Sequence, residues 1–135
     1  MLYLSFDFGI KNIGAAIGQN ITNTANILQS IKSINKVPNW TIIENMLLEW
    51  KPSIIVVGYP LNIDGTKQKI TKKVEEFANI IYTQFNIPVN LHDERLTTVE
   101  ARNIIFKKYG YKKLTKNNID SFSALIILES WLSSF

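Results

Sequence analysis

The sequence predicts an α/β fold: a mixed five-stranded sheet, made of a three-strand antiparallel meander plus two parallel strands, with helices on both faces. Three observations carry this. Residues 2–8 alternate between an apolar set (Leu2, Leu4, Phe6, Phe8) and a second set (Tyr3, Ser5, Asp7), the period-two signature of a strand. Ile54-Ile55-Val56-Val57 is an unbroken β-branched run, as expected of a central strand covered on both sides. Apolar stripes at helical spacing separate the later strands.

The elements follow in order. Gly9–Asn12 make a turn, Ile13–Gly18 a second strand rich in small residues, and Ala25–Lys32 a third, completing the meander. Pro38-Asn39 opens a helix, with Thr41-x-x-Glu44 as an alternative capping-box start. Its stripe is Ile43, Met46, Leu47 and Trp50, and Lys51-Pro52 stops it. The β-branched strand ends at Gly58-Tyr59-Pro60, and Asn62–Gly65 form a loop. Thr66 to Phe85 read as a long helix with Ile70, Val74, Phe77, Ala78, Ile81 and Phe85 on one stripe. Pro88–His92 are the fifth strand. Thr97-x-x-Glu100 caps a helix running to Lys108, and residues 109–117 read as a mobile basic stretch. The last helix starts near Asn118 and is apolar nearly all round from Phe122 to Leu132, so it is expected to be buried. The order β-β-β-α-β-α-β-α-α is the ribonuclease H-like plan, over residues 1–135 as a single domain.

Composition narrows the chemistry. No cysteine is present and His92 is the single histidine. Thiolate zinc sites, a cysteine nucleophile and multi-histidine centres are therefore excluded, which leaves oxygen ligands suited to magnesium or manganese. The first residues alternate instead of forming a signal peptide, and no stretch is long enough to span a bilayer, so a cytoplasmic protein without membrane contact is expected. The net charge is +4. Lysines gather at 67, 69, 72 and 73 and again at 107, 108, 112, 113 and 116, which suits nucleic acid if a site lies between them and solvated helix ends if none does.

Three acidic spots stand at element ends: Asp7 after the first strand, Asp93-Glu94 after the fifth, and Asp120 at the head of the last helix. Two carboxylates about 4 Å apart repel by roughly 4 kcal/mol at an effective dielectric near 20. Three such charges persist together only if a cation or protons compensate them. Each acid has another reading. Asp7 could begin an Asx turn before Gly9, Asp93 or Glu94 could pair with Arg95, and Asp120 could complement the helix dipole. His92 reads as structural, and Trp40, Trp50 and Trp131 fall on helical stripes as core residues more readily than as stacking platforms.

Four blocks resemble, in order, those of the YqgF/RuvX family, described as pre-16S rRNA nucleases or Holliday-junction resolvases. They are Asp7-Phe8-Gly9-Ile10-Lys11-Asn12-Ile13-Gly14, Val57-Gly58-Tyr59-Pro60-Leu61-Asn62 with Asp64-Gly65, Asp93-Glu94-Arg95-Leu96-Thr97-Thr98-x-Glu100-Ala101, and Ile119-Asp120-Ser121-Phe122-Ser123-Ala124. The third is the most distinctive. The chain departs from the family pattern at Asn12, where arginine is usual, at Tyr59, where leucine is usual, and at Ser121 and Ser123 in a block usually built on alanine.

The resemblance implies a phosphodiester-hydrolysing nuclease of ribosome biogenesis, processing the 5′ end of pre-16S rRNA. It implies Asp7, Glu94 and Asp120 as catalytic residues and metal ligands, with Asp93 as the substitute for Glu94. Two Mg²⁺ or Mn²⁺ ions would be bound, activating water and stabilising the leaving oxygen without a covalent enzyme intermediate. Read from the residues themselves, Lys11, Arg95, Thr98 and Asn62 are the candidate substrate contacts, against a solvated turn lysine for Lys11, an ion pair to a neighbouring acid for Arg95 and a plain turn for Asn62. Structured RNA is the favoured partner, with branched DNA and ribosomal association as further ones, and a monomer or weak dimer is the expected state. Two alternatives stand beside it: a DNA endonuclease of the Holliday-junction resolvase type, and a non-catalytic RNA-binding ribosome-assembly factor. A protein kinase is not expected from the Asp7-Phe8-Gly9 triplet, which stands at the start of this sequence without a nucleotide-binding lobe before it, and the sequence holds no phosphate-binding G-x-x-x-x-G-K-[ST] loop.

Overall fold

A computed structural model of the chain describes residues 1–21, 24–96, 99–109 and 120–134. Strands β1 (Leu2–Asp7), β2 (Asn12–Gln19), β3 (Thr24–Ile34) and β4 (Val37–Pro38) precede helix α1 (Trp40–Trp50). Then come β5 (Ile54–Tyr59), α2 (Lys69–Phe85), β6 (Val89–Asp93), a 3₁₀ turn (Glu94–Leu96), α3 (Val99–Tyr109) and α4 (Ser121–Leu132). The sheet order is β4-β3-β2-β1-β5-β6. The first four strands pair antiparallel, while β1, β5 and β6 run parallel.

The expected meander and parallel pair are present, with one strand more than the five read from the sequence. Val37–Pro38 pair with Ser33–Ile34 at the sheet edge instead of opening the helix. Asn35 and Lys36 make this possible, because both take left-handed φ values, 53° and 66°, as a two-residue hairpin turn requires. Proline is tolerated there because an edge strand leaves one side unpaired. The helix proper starts one residue later. Asn39 Oδ1 accepts from Ile42 N at 3.3 Å and is the cap, so Thr41 lies inside the helix. The second helix also starts later than Thr66. Asp64 Oδ1 holds Thr66 N at 3.0 Å in an Asx turn, and Gln68 N donates to Thr71 Oγ1 at 2.9 Å to cap α2.

Two cores result. Leu4, Phe6, Ile55 and Val57 face α1 and α2, packing with Ile43, Leu47, Val74, Phe77 and Ile81. Tyr3, Ala16 and Val56 face α4 through Ala124, Leu125, Ile127, Leu128 and Trp131. Helices thus cover both faces, and α4 is buried as its composition requires. Trp131 packs edge-on to Tyr3 and Trp50 joins the first core.

The topology brings the chemistry to one end. Strands β1, β5 and β6 are parallel, so their C-terminal ends lie together. Asp7 pairs with Gly14 and Asn12 with Lys32, which puts the start of β2 and the last part of β3 at the same end. Helix α4 also starts there, with the Asp120 carbonyl against Gly14. Among the described residues, no helix is long and apolar enough to cross a membrane.

Candidate nuclease site

Asp7 is the last residue of β1 and points to the α4 face. Ser5, two residues back on that face, donates to the Ala124 carbonyl at 2.7 Å. Glu94 lies past the end of β6, with β5 between it and β1. It bridges that gap because β5 carries Gly58 there. A Cβ on Gly58 would meet Glu94 Oε1 at 2.8 Å and Ile127 Cδ1 at 2.5 Å. The missing side chain is the space through which the Glu94 carboxylate reaches Asp7.

The two carboxyl groups lie within hydrogen-bonding reach of each other. Burial first, then the charge of Glu94 and a hydrogen bond with it, push Asp7 from 3.8 up to about 7. Glu94 is raised as well, by burial first, and its bond to Asp7 works in the opposite direction. Asp120 contributes a further small repulsion to Asp7. Arg102 on α3 draws both carboxyl groups downward, but burial outweighs it in each case.

The head of α4 is fixed by a second glycine and a serine. Strand β2 has a register irregularity between Ile13 and Ala15, and Gly14 sits in it. A Cβ there would lie 2.1 Å from the Asp120 carbonyl oxygen, so only glycine lets the helix come this close. Ser121 Oγ then accepts from Ala15 N at 3.0 Å and lies 3.3 Å from Ser30 Oγ. The sequence marks Gly14 and Ser121 as block members without these roles. Asp120 is exposed and, with Asn12, Lys32 and Asn39, borders a polar cavity of about 330 Å³.

The other expected site residues fall as follows. Asp93 is engaged by Arg95 through Arg95 N at 2.9 Å, Nε at 3.0–3.1 Å and Nη2 at 2.7 Å. This pairing holds the Asp93 carboxyl below its usual range and leaves Glu94 as the acid of that pair turned to Asp7. The Arg95 fork is directed at Asp93, with Nη1 donating to the Ile63 carbonyl at 3.2 Å, rather than at open solvent. Asn62 donates to Thr66 Oγ1 at 2.9 Å within its own turn. Lys11 is exposed at the turn beside Asp7. Thr97 and Thr98 lie outside the described residues, as do Lys112, Lys113 and Lys116. His92 is buried and pairs with Ser130 Oγ at 2.8 Å, the structural role expected of it. Arg102 is not singled out by the sequence. Only its approach to two carboxylates reveals it.

Among the described residues, no three His, Cys, Asp or Glu side chains are gathered into a ready-made metal cage. The donors present fit magnesium or manganese nonetheless. They are all oxygens, and burial raises both Asp7 and Glu94 despite the Arg102 charge beside them, so the pair suits a further counter-charge. Magnesium keeps several waters and needs only one or two carboxylates.

A ribonuclease H-like sheet with two carboxyl groups in contact at the ends of its parallel strands is the framework of a phosphodiester-cleaving nuclease. The chain belongs to the RuvX family, whose model, described as Holliday junction resolvase, matches residues 1–134. A protein of Buchnera aphidicola subsp. Baizongia pistaciae named "Putative pre-16S rRNA nuclease" is 60% identical over 131 residues, covering 97% of this chain and 96% of its own. A protein of the same name from Buchnera aphidicola subsp. Acyrthosiphon pisum is 54% identical over 135 residues, the full length of both chains. Thermus thermophilus RuvC, solved with a Holliday junction substrate, superposes with a TM-score of 0.67 at 14% identity, covering 99% of this chain and 94% of its own. The fowlpox virus Holliday junction resolvase gives 0.61 at 20% identity, with both chains fully covered. These two likenesses show the fold.

Proposed function

We propose that the chain is a metal-dependent nuclease that hydrolyses phosphodiester bonds of structured RNA, with the 5′ side of pre-16S rRNA as substrate. The observation that carries it is the Glu94 carboxylate seated over Gly58 beside Asp7, at the end of the sheet where Asp120 also begins α4. Burial raises both carboxyl groups and the Arg102 charge offsets only part of that, so a dication supplies the counter-charge the pair still lacks.

Asp7 and Glu94 would hold the metal, with Asp120 completing the negative surface on the other side of Asp7. When bound, Mg²⁺ or Mn²⁺ lowers the pKa of a coordinated water and offsets charge on the leaving oxygen. Two ions remain the expected count. The chain's own residues do the rest. Asp7 would hold the dication as a carboxylate, its proton passing to solvent, and Glu94, kept in place over Gly58, would fix the pair's direction. Lys11 and Lys32 lie at the same end and draw the phosphate backbone toward the acids. The names of the Buchnera relatives support RNA as substrate. The resolvase fold supports branched DNA as the second reading.

The test uses a short RNA spanning a pre-16S 5′ junction and a four-way DNA junction, each with Mg²⁺, Mn²⁺ or EDTA. Cleavage of the RNA is expected, abolished by EDTA and by Asp7→Asn, Glu94→Gln or Asp120→Asn. Preferential cutting of the DNA junction would move the assignment to a resolvase. Equal background in wild type and variants would leave a binding protein without catalysis.

A further inference from the structure

A second cavity opens at the same end of the sheet, on the opposite face. It has a volume of about 200 Å³, and its walls include Phe8, Trp40 and Phe77. Phe8 directly follows Asp7, so one strand end carries the carboxyl group toward α4 and a cavity wall toward α2. Trp40 is half-buried and stacks on Phe77 at 5.4 Å with an interplanar angle of 30°. The ring also lies 6.3 Å from Phe85 at 31°, so both phenylalanines of α2 support it, and it borders the cavity beside them. Lys36, Lys73 and Glu76 also line the space. Among the described residues, neither lysine has an ion-pair or hydrogen-bond partner.

Lys36 is costly where it stands. It is the second residue of the β3–β4 hairpin turn at φ 66°, a position where glycine is the usual choice. A non-glycine residue held in the left-handed region costs on the order of 1 kcal/mol or more. Glycine would close the hairpin better and would remove the one cation the turn presents to the cavity.

We propose that this cavity takes a single unpaired nucleobase of the nucleic-acid substrate, packed against the aromatic wall of Phe8, Trp40 and Phe77, while Lys36 and Lys73 hold the phosphates on either side of it. The volume lies below the ~300–1,000 Å³ of sites for drug-sized ligands, which suits one ring system and shuts out a base pair. Aromatic faces flanked by cations are the combination that binds single strands without reading sequence. Glu76 adds an acceptor for a base N–H group. The substrate class is thereby narrowed to RNA or DNA with a single-stranded segment beside the bond to be cut. This rests on the nuclease reading above.

The probe is a short single-stranded oligouridine added to ¹⁵N-labelled protein in EDTA, so that nothing is cleaved. The indole N–H resonance of Trp40, assigned through Trp40→Phe, is expected to move, while those of Trp50 and Trp131 stay. Lys36→Gly should lower affinity and flatten the log–log salt dependence by about 0.7, with an unfolding midpoint unchanged or raised. A Trp40 resonance that stays put while the oligonucleotide binds, or a Lys36→Gly variant with wild-type affinity and slope, overturns the cavity assignment and leaves the nuclease reading intact. Failure to bind or cut any nucleic acid overturns both.

Discussion

Glu94 meets Asp7 only because residue 58 has no side chain: Glu94 Oε1 lies 2.8 Å from where a Gly58 Cβ would be. Neither carboxylate comes from β5, yet that strand decides whether they touch. Gly58→Ala is therefore expected to act twice. It crowds Ile127 in the α4 core, costing ~1–3 kcal/mol, and it turns Glu94 away from Asp7. Denaturant unfolding should read the first effect. Cleavage should fall by roughly 100-fold, the scale of a misplacement of about 1 Å. Unchanged cleavage in a destabilised Gly58→Ala protein would detach Glu94 from the chemistry.

The raised Asp7 pKa sets a pH dependence of stability. Its ordinary value is 3.8 and its folded value about 7, so the folded state binds the proton more tightly than the unfolded chain. The stabilisation is complete below pH 3.8 and is lost as pH rises to about 7. At 1.36 kcal/mol per pH unit its ceiling is roughly 4 kcal/mol, and the pair shares it. Metal-free protein should accordingly lose stability between pH 3.8 and about pH 7. Asp7→Asn should flatten that profile, and Mg²⁺ should restore wild-type stability near the upper end of that window but add little at the lower end. Thermal melts at both pH values, with and without Mg²⁺, provide the check. A melting curve indifferent to Mg²⁺ at the upper pH would argue against Asp7 as a ligand.

The strands are readable because burial writes itself as a period of two or as an unbroken apolar run. Both cores follow from that, with Leu4, Phe6 and Val57 on one face and Tyr3 and Val56 on the other. Strand β4 is too short for any period to register. Its two residues are ordered by the left-handed turn before them. At the site, the acids are legible as costly charges at element ends, but the choice among them is not. Asp93 and Glu94 are adjacent letters, and only the Arg95 fork on Asp93 separates their roles. The importance of Gly14 and Gly58 is an absence of atoms, which becomes visible once the neighbour that fills the space is known.

Ser121 shows how a departure from the family pattern can be structural. Its buried Oγ accepts the Ala15 N–H beside the β2 irregularity, and alanine would leave that donor unpaired. Ser121→Ala should cost about 1–3 kcal/mol by denaturant titration and loosen the head of α4 next to Asp120. Amide exchange at Ala15 should accelerate in the same variant. Protection equal to wild type would mean that another acceptor replaces the hydroxyl.

Asn12 is the departure with the clearest consequence for substrate. It opens β2 opposite Lys32 and borders the polar cavity beside Asp120, at the end of the sheet that carries the acids. An arginine there would add one permanent cation with a fork suited to phosphate. If the polynucleotide backbone crosses this point, Asn12→Arg should tighten RNA binding and steepen the log–log salt slope by about 0.7 for a single strand or 0.9 for a duplex. Filter binding across a salt series at fixed pH, with EDTA present, reads both quantities. The introduced guanidinium could instead pair with Asp120, and the two outcomes separate cleanly. Phosphate contact raises affinity and slope together, whereas an ion pair leaves the slope alone and lowers Mg²⁺-dependent cleavage. A variant that changes neither binding, slope nor cleavage would take the backbone path away from β2 altogether.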